Sequence, residues 1–324
     1  MSKQVEWRKG TLRSVRDLTP DIRLFEIEPD GEFVAPTPGS HINVGVQIGE
    51  RADVRSYSVV GPCMDGLYRI AVKRLPDSRG GSLYMWSLVP GAQLSISTPG
   101  NHFDLSLGRP EYILLAGGIG ITPIYTMSLA LAHAGANFRV LYACRSRQDM
   151  ALADEMREQV GNRLQVFLDE EGARVDLDAE IARLAPAGEL YVCGPIGMLE
   201  AAKRAWQRSG RPVDQLRFET FGNSGRFATE AFKVKIPRLG IELEVPQNKT
   251  MLEALEAAGV AMISDCRRGE CGLCALYIVE TTGTVDHRDV FFSDEEKAEN
   301  RKLCTCVSRV AGGDITIDTA DRAA

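Results

Sequence analysis

The chain has 324 residues, enough for two or three domains, with 44% apolar and 25% charged residues, the balance of an ordinary globular protein. A net charge of −6 argues against a nucleic-acid binder, and no apolar run approaches the ~20 residues needed to cross a bilayer. No apolar signal segment follows Met1-Ser2-Lys3-Gln4, so the eight cysteines are expected in a reducing cytoplasm rather than in disulfides.

Residues 1–107 alternate short apolar runs (22–27, 41–48, 55–60, 68–73, 93–97) with turn signals such as Pro38-Gly39, Gly61-Pro62 and Pro90-Gly91. That spacing predicts a closed antiparallel β-barrel. The rhythm changes in 108–222. Nearly continuous apolar runs at 112–116, 138–143, 164–168 and 189–193 predict strands, and helical patterns cover 123–134, 150–160, 176–184 and 195–208. Strand alternating with helix predicts an α/β domain whose parallel sheet is covered on both faces. The polar, glycine-containing stretch 223–231 suits a linker. From 232 to 324 a compact β-rich unit is expected: strands at 232–236 and 241–245, a helix at 251–258, a cysteine loop, and strands at 275–280 and 314–318.

That loop is the most specific signal. Cys266, Cys271 and Cys274 form C-x₄-C-x₂-C, and Cys304-Thr305-Cys306 follows about thirty residues later. This is the ligand spacing of a plant-type 2Fe–2S cluster, whereas zinc sites favour paired C-x₂-C units. Gly269 and Gly272 allow the dihedrals with which a loop aims N–H groups at sulfur. Either Cys304 or Cys306 can supply the fourth thiolate. Cys306, heading Cys306-Val307-Ser308-Arg309 before the last strand, is preferred on context. Buried free thiols are the plain alternative, and that is the expectation for Cys63, Cys144 and Cys193.

A second signal is Ala116-Gly117-Gly118-Ile119-Gly120-Ile121-Thr122-Pro123, which follows an apolar strand and opens a helix. Thr122 suits an N-cap and Pro123 a first helical residue. The glycines let a pyrophosphate approach a helix N-terminus, although Pro123 stands where the dinucleotide fingerprint has its third glycine. Cys193-Gly194-Pro195 ends a later strand in the same way. Two such turns at strand ends are what a ligand crevice in an open α/β sheet needs, and purely structural turns are the alternative. In the barrel, Arg55-Ser56-Tyr57-Ser58 offers a phosphate partner in Arg55 and a flat ring in Tyr57; an ordinary strand with an exposed arginine is the alternative. Arg79-Gly80-Gly81-Ser82 opens a helix-like stretch whose N–H groups, with the Ser82 hydroxyl, suit a phosphate. Phe221, in Phe218-Glu219-Thr220-Phe221-Gly222, either covers a cofactor or fills core.

Together these residues resemble the phthalate dioxygenase reductase family, which includes vanillate O-demethylase reductase. The resemblance covers nearly the whole chain and implies the order flavin barrel, nicotinamide domain, C-terminal β-grasp ferredoxin. It implies that Arg55, Ser56, Tyr57 and Ser58, then Ala71, Val72 and Lys73, then Gly80, Gly81 and Ser82 bind a flavin, FMN rather than FAD. Phe221, in F-E-x-F-G, would pack on the flavin ring, with Ser58 and backbone near Val72 at the ring's polar edge. Gly118, Gly120, Thr122 and Pro123, with Cys193, Gly194 and Pro195, would bind the nicotinamide nucleotide. Cys266, Cys271, Cys274 and Cys306 would hold the cluster, since the family's C-[VC]-S-R context favours Cys306. Asp286-His287-Arg288-Asp289 matches a further signature near the cluster. No chemistry is assigned to it, and His287 is expected to be structural or a docking contact.

NADH gives up two electrons as hydride and an iron–sulfur cluster accepts one, so a flavin is expected between them. Plant-type clusters lie near about −400 mV and Rieske clusters from about −150 mV upward, which makes a Rieske oxygenase a downhill acceptor. The expected partner is such an oxygenase, docking transiently near Arg267-Arg268-Gly269-Glu270 on a monomer. Arg145 and Arg147 leave NADPH open. Asp169-Glu170-Glu171 opposes a 2′-phosphate if it lies close, and NADH is the expected donor. Two other readings compete. The same cofactors can serve a diiron monooxygenase or a cytochrome, and a ferredoxin shuttle with a degenerate N-terminal scaffold would carry no flavin.

Overall fold

A computed structural model describes residues 6–63, 65–75, 80–221, 225 and 227–319. Arg79, Gly222 and the linker residues Asn223, Ser224 and Arg226 lie outside them. The chain divides into two compact units, Met1–Glu219 and Thr220–Ala324.

The first unit holds two sheets. Strands β1 (Trp7–Asp17), β2 (Ile22–Pro29), β3 (His41–Ile48), β4 (Arg51–Ser58), β5 (Tyr68–Lys73) and β6 (Gln93–Ser97) pair in the order β4-β3-β6-β1-β2-β5, all antiparallel. The sheet curls until the two edges meet at a bridge between Val59 and Ile70. Alternate side chains turn inward, so Phe25, Ile27, Ile42, Val44, Tyr68 and Ile70 share one core. Helix α1 (Gly81–Ser87) packs on β3 and β5 and buries Met85. Strand β1 was not expected. A bulge between Leu12 and Ser14 breaks its period of two, and only Gly10 and Leu12 along it are buried.

The second sheet joins β7 (Tyr112–Gly117), β8 (Phe138–Cys144), β9 (Leu164–Leu168), β10 (Glu189–Cys193) and β11 (Leu216–Glu219), all parallel, in the order β11-β10-β7-β8-β9. Helices α2 (Ile121–His133), α3 (Ala153–Val160), α4 (Leu177–Arg183) and α5 (Ile196–Ser209) make the crossovers. Every residue of β7 and β10 is buried, as strands covered on both faces require. From β7 the chain steps out to β8 and β9, then returns to β10 and β11 on the other side. The direction of winding therefore reverses between β7 and β10, where open α/β sheets form their ligand crevice. Thr126 on α2 ties this sheet to the barrel: its hydroxyl donates to the Val59 carbonyl at 2.9 Å and accepts the Gly61 N–H at 3.1 Å.

In the second unit, β12 (Phe232–Ile236), β13 (Ile241–Val245), β14 (Ala275–Thr281), β16 (Lys302–Cys304) and β18 (Ile315–Asp318) form a mixed sheet in the order β13-β12-β18-β14-β16. Short strands β15 (Thr284–Asp286) and β17 (Arg309–Ala311) pair with each other. Helix α6 (Met251–Ala257) starts at a capping box of Thr250 and Glu253 and buries Met251 and Leu255 against Val234, Ile236, Leu276 and Ile317. Helix α7 (Asp294–Glu299) follows the cysteine loop in sequence and packs on β16. Among the described residues no helix is long and apolar enough to cross a membrane.

Candidate cofactor sites

On β4 the side chains alternate. Ser56 is exposed and donates to Asn43 Oδ1 at 2.6 Å, while Arg55 and Tyr57 take the other, half-buried face. Burial pushes the Tyr57 phenol well above its usual range, and the Arg55 charge offsets only part of that. Ser58, at the strand's end, is buried. The Arg55 side chain lies directly over Gly81 at the start of α1. A Cβ at Gly81 would stand 2.6 Å from Arg55 Nε, so any larger residue there would push the Arg55 side chain aside. Gly80 caps the same helix in the left-handed region, at φ 90°. Arg55 Nη1 pairs with Asp53 at 2.8 Å, yet Nη2 is buried with no hydrogen-bond partner among the described residues. A buried guanidinium nitrogen in that state costs free energy until an acceptor arrives, and a phosphate oxygen is the acceptor it fits. The Ser82 hydroxyl accepts the Leu75 N–H at 3.2 Å. On β5, Ala71 and Val72 are buried, and the Val72 carbonyl already accepts the Trp86 indole N–H at 3.0 Å. Lys73 pairs with Asp21 at 3.0 Å and reaches Asp149, beyond β8, at 3.7 Å.

Strand β5 packs beside the turn Gly118–Gly120, which brings the barrel segments and the nucleotide turn together. Two expectations are corrected at this turn. The N-cap of α2 is Gly120, not Thr122, and Thr122 lies inside the first helical turn with its hydroxyl donating to the Ile119 carbonyl at 3.0 Å. Pro123 is then the third helical residue rather than the first. It is tolerated because N–H groups there have no intrahelical partner. The glycines also divide in role. A Cβ at Gly120 would fall on the Cys193 carbonyl, and one at Gly194 would meet Met198 Sδ at 2.9 Å and Gly117 Cα at 3.0 Å. Gly117, Gly120 and Gly194 thus let the turns after β7 and β10 interlock backbone to backbone. Gly118, at φ 52°, faces open space and is the one with room for a ligand. Cys193 is fully buried, while Pro195 is exposed at the crevice between the two strand ends.

Two residues near this crevice escaped the sequence reading. Thr126 is one. Glu219, buried at the end of β11 and in register with Cys193, is another; its strand was not anticipated. The acidic turn Asp169-Glu170-Glu171, expected to oppose a 2′-phosphate if it lies close, follows β9. The Glu170 N–H donates to the Arg145 carbonyl at 3.0 Å, the Arg147 N–H donates to Glu170 at 2.8 Å, and Arg147 pairs with Glu171 at 3.0 Å. The acids after β9 therefore do sit beside the arginines after β8. Phe221 comes two residues beyond β11 and is half-buried.

In the second unit, the cysteine loop wraps its sulfurs in donors. The N–H groups of Arg268, Glu270 and Cys271 all donate to Cys266 Sγ at 3.4 Å. Positive φ at Arg267, Gly269 and Gly272 makes this wrap possible. Cys274, Cys304 and Cys306 are buried in an apolar shell of Leu252, Phe292 and Val307. The neighbouring Cys304 and Cys306 thiols hold the Cys274 pKa well below the usual thiol range, and their own are pushed up in turn. Cys306 stands in the turn after β16, whose Val307 packs on Gly269 of the cysteine loop, and Cys304 is the last residue of β16. The donor set, four cysteine sulfurs with N–H groups aimed at Cys266, fits an iron–sulfur cluster. The face expected for docking is internally paired: Arg267 with Glu256, and Arg268 with Glu270 at 3.3 Å.

Comparisons agree with this anatomy. The profile described as a 2Fe-2S iron-sulfur cluster binding domain matches residues 234–311, and that of an oxidoreductase NAD-binding domain matches residues 114–204. The chain is 36% identical over 304 residues to phenoxybenzoate dioxygenase subunit beta of Ectopseudomonas oleovorans, covering 92% of this chain and 93% of that one. Its fold matches phthalate dioxygenase reductase, a modular structure for electron transfer from pyridine nucleotides to 2Fe–2S, with a TM-score of 0.73 and 29% identity over 96% of this chain and 98% of that one. An intact type IV self-sufficient cytochrome P450 monooxygenase matches at 32% identity and a TM-score of 0.66, over 96% of this chain, which spans only 41% of that protein. A switch-point crevice, a curled antiparallel barrel and a plant-type cysteine loop in one chain, with these relatives, place it in the phthalate dioxygenase reductase family of nicotinamide-dependent flavin iron–sulfur oxidoreductases.

Proposed function

We propose that this protein is the reductase component of an oxygenase system, taking electrons from NADH and delivering them singly to a terminal oxygenase with a Rieske centre. The observation that carries the reading is the ring of N–H donors around Cys266, beside Cys271, Cys274 and Cys306, in the same chain as the β7–β10 crevice. FMN supplies the conversion from a two-electron donor to a one-electron acceptor. The chain's part is placement. Arg55 and the Gly80-Gly81-Ser82 segment hold the phosphate, Tyr57, Ser58, Ala71, Val72 and Lys73 frame the ring system, and Phe221 covers it. Gly118 and Pro195 line the nucleotide crevice, and Gly120, Thr122, Pro123, Cys193 and Gly194 shape the two turns behind them. Domain limits of 1–107, 108–222 and 232–324, joined by a 223–231 linker, follow from these roles. The protein acts in the cytoplasm as a monomer that docks its oxygenase transiently.

The test is anaerobic addition of NADH to purified protein. Bleaching of flavin absorbance near about 450 nm followed by the electron-paramagnetic-resonance signal of a reduced 2Fe–2S cluster is expected. A protein that binds neither flavin nor acid-labile sulfide ends the proposal. A second reading, a haem acceptor, draws on the likeness to the cytochrome P450 monooxygenase, and side-by-side assays with Rieske and P450 acceptors separate the two.

The donor preference has its own test. Glu170 and Glu171 set carboxylates beside Arg147, where a 2′-phosphate would need free positive charge. The double variant Glu170→Gln, Glu171→Gln is expected to raise kcat/KM for NADPH relative to NADH by about tenfold, as the loss of about 1.4 kcal/mol of repulsion predicts. An unchanged ratio places the ribose elsewhere.

A further inference from the structure

Asp286-His287-Arg288-Asp289 has no part in the function proposed above, yet it is built into the base of the cysteine loop. Asp289 is fully buried. It stands directly against the loop, since a Cβ at Gly269 would meet Asp289 Cα at 2.9 Å, and the Val290 N–H donates to the Gly269 carbonyl at 2.9 Å. Its carboxylate accepts the Phe292 N–H at 3.0 Å and the Ser308 hydroxyl at 3.3 Å, with His287 Nδ1 at 3.6 Å. Ser308 is two residues beyond Cys306. Lys297 donates to the Asp289 backbone carbonyl at 2.6 Å, and Arg288 spends its charge on Asp286 at 2.7 Å. Burial alone would raise the Asp289 pKa, but His287, the Phe292 N–H and Lys297 outweigh it and keep the group below the usual carboxylate range.

We infer that Asp289 is a charge-tuning residue whose buried carboxylate disfavours electron uptake by the cluster and so keeps the reduced protein a strong electron donor. The inference rests on the proposed ligand set. A cluster held by four thiolates is already anionic and gains a further negative charge on reduction, and a second fixed anion in a poorly solvated site opposes that step. The acidic residues of α7 are exposed and screened by salt, so they cannot substitute. Ser308 moderates the effect by donating to the carboxylate, which predicts opposite shifts from two neighbouring substitutions.

The experiment is a redox titration of the intact protein followed by electron paramagnetic resonance. Asp289→Asn, which keeps the shape, is expected to favour the reduced cluster by about tenfold, an upward shift of about 59 mV for one electron. Ser308→Ala, which removes the donor, is expected to shift the midpoint downward. A purely structural Asp289 moves neither midpoint, or moves both in the same direction, and either result overturns the inference. If Asp289→Asn assembles no cluster, the sign for Ser308→Ala decides: downward supports the inference, unchanged or upward overturns it. Wild-type protein without the cluster signal removes the functional reading beneath it, a failure distinguishable from an unmoved midpoint.

Discussion

Cys306→Ala is expected to abolish the iron–sulfur absorbance and electron delivery to one-electron protein acceptors, while NADH-to-flavin reduction survives. Cys304→Ala is expected to keep both. The contrast follows from position. Cys306 stands in the turn after β16, and its neighbour Val307 packs directly on Gly269, which sets this turn against the cysteine loop. Cys304 is the last residue of β16, where its backbone is held in the sheet by pairing with Ala275. Losing one of four thiolates leaves an iron without a ligand, whereas losing a buried spectator thiol costs about 1 kcal/mol of stability. Iron and acid-labile sulfide content, measured after identical reconstitution of both variants, checks this. Loss in Cys304→Ala with retention in Cys306→Ala reassigns the fourth ligand.

Arg55→Ala is expected to weaken FMN binding by about ten- to a hundredfold. The buried Nη2 has no acceptor among the described residues, and a charge-assisted hydrogen bond to phosphate is worth about 1.5–3 kcal/mol. Arg55→Lys is expected to recover only part of this, because a single ammonium lacks the planar fork that reaches Asp53 and a phosphate together. Fluorescence titration of flavin-free protein gives the dissociation constants. Flavin retained at full stoichiometry after prolonged dialysis of Arg55→Ala would remove Arg55 from the phosphate site. A merely structural arginine would instead lower the melting temperature of the flavin-free protein and leave its affinity alone.

Where strands are bounded by strong turn residues, the sequence reads residue by residue: His41–Ile48, Tyr68–Lys73, Gln93–Ser97, Phe232–Ile236 and Ile241–Val245 form as the apolar pattern predicts. Legibility fails where long-range contacts decide. The bulge in β1 hides its alternation, and β11 is a four-residue edge strand with polar positions. Thr122 and Pro123 carry the local signs of a helix start, but the packing of Gly120 against the Cys193 carbonyl begins the helix earlier. The glycines read as room for a pyrophosphate are in large part there because two turns interlock. The cysteine spacing is legible because the cluster's covalent geometry imposes it on a contiguous loop. The preference for Cys306 over Cys304 rests on a short local context, whereas the burial of Asp289 depends on how distant segments fold onto that loop, and no local pattern records it.

The Thr126 hydroxyl, holding the Val59 carbonyl and the Gly61 N–H, has a consequence for engineering. Anyone building chimeras by grafting a foreign pyridine-nucleotide module onto this barrel, with the seam cut between Ser97 and Tyr112, would import a new residue at that position and leave two buried peptide groups of the recipient without a mate. Recombinants that carry a threonine or serine there should express and retain their yellow colour more often than those that do not, irrespective of overall sequence likeness.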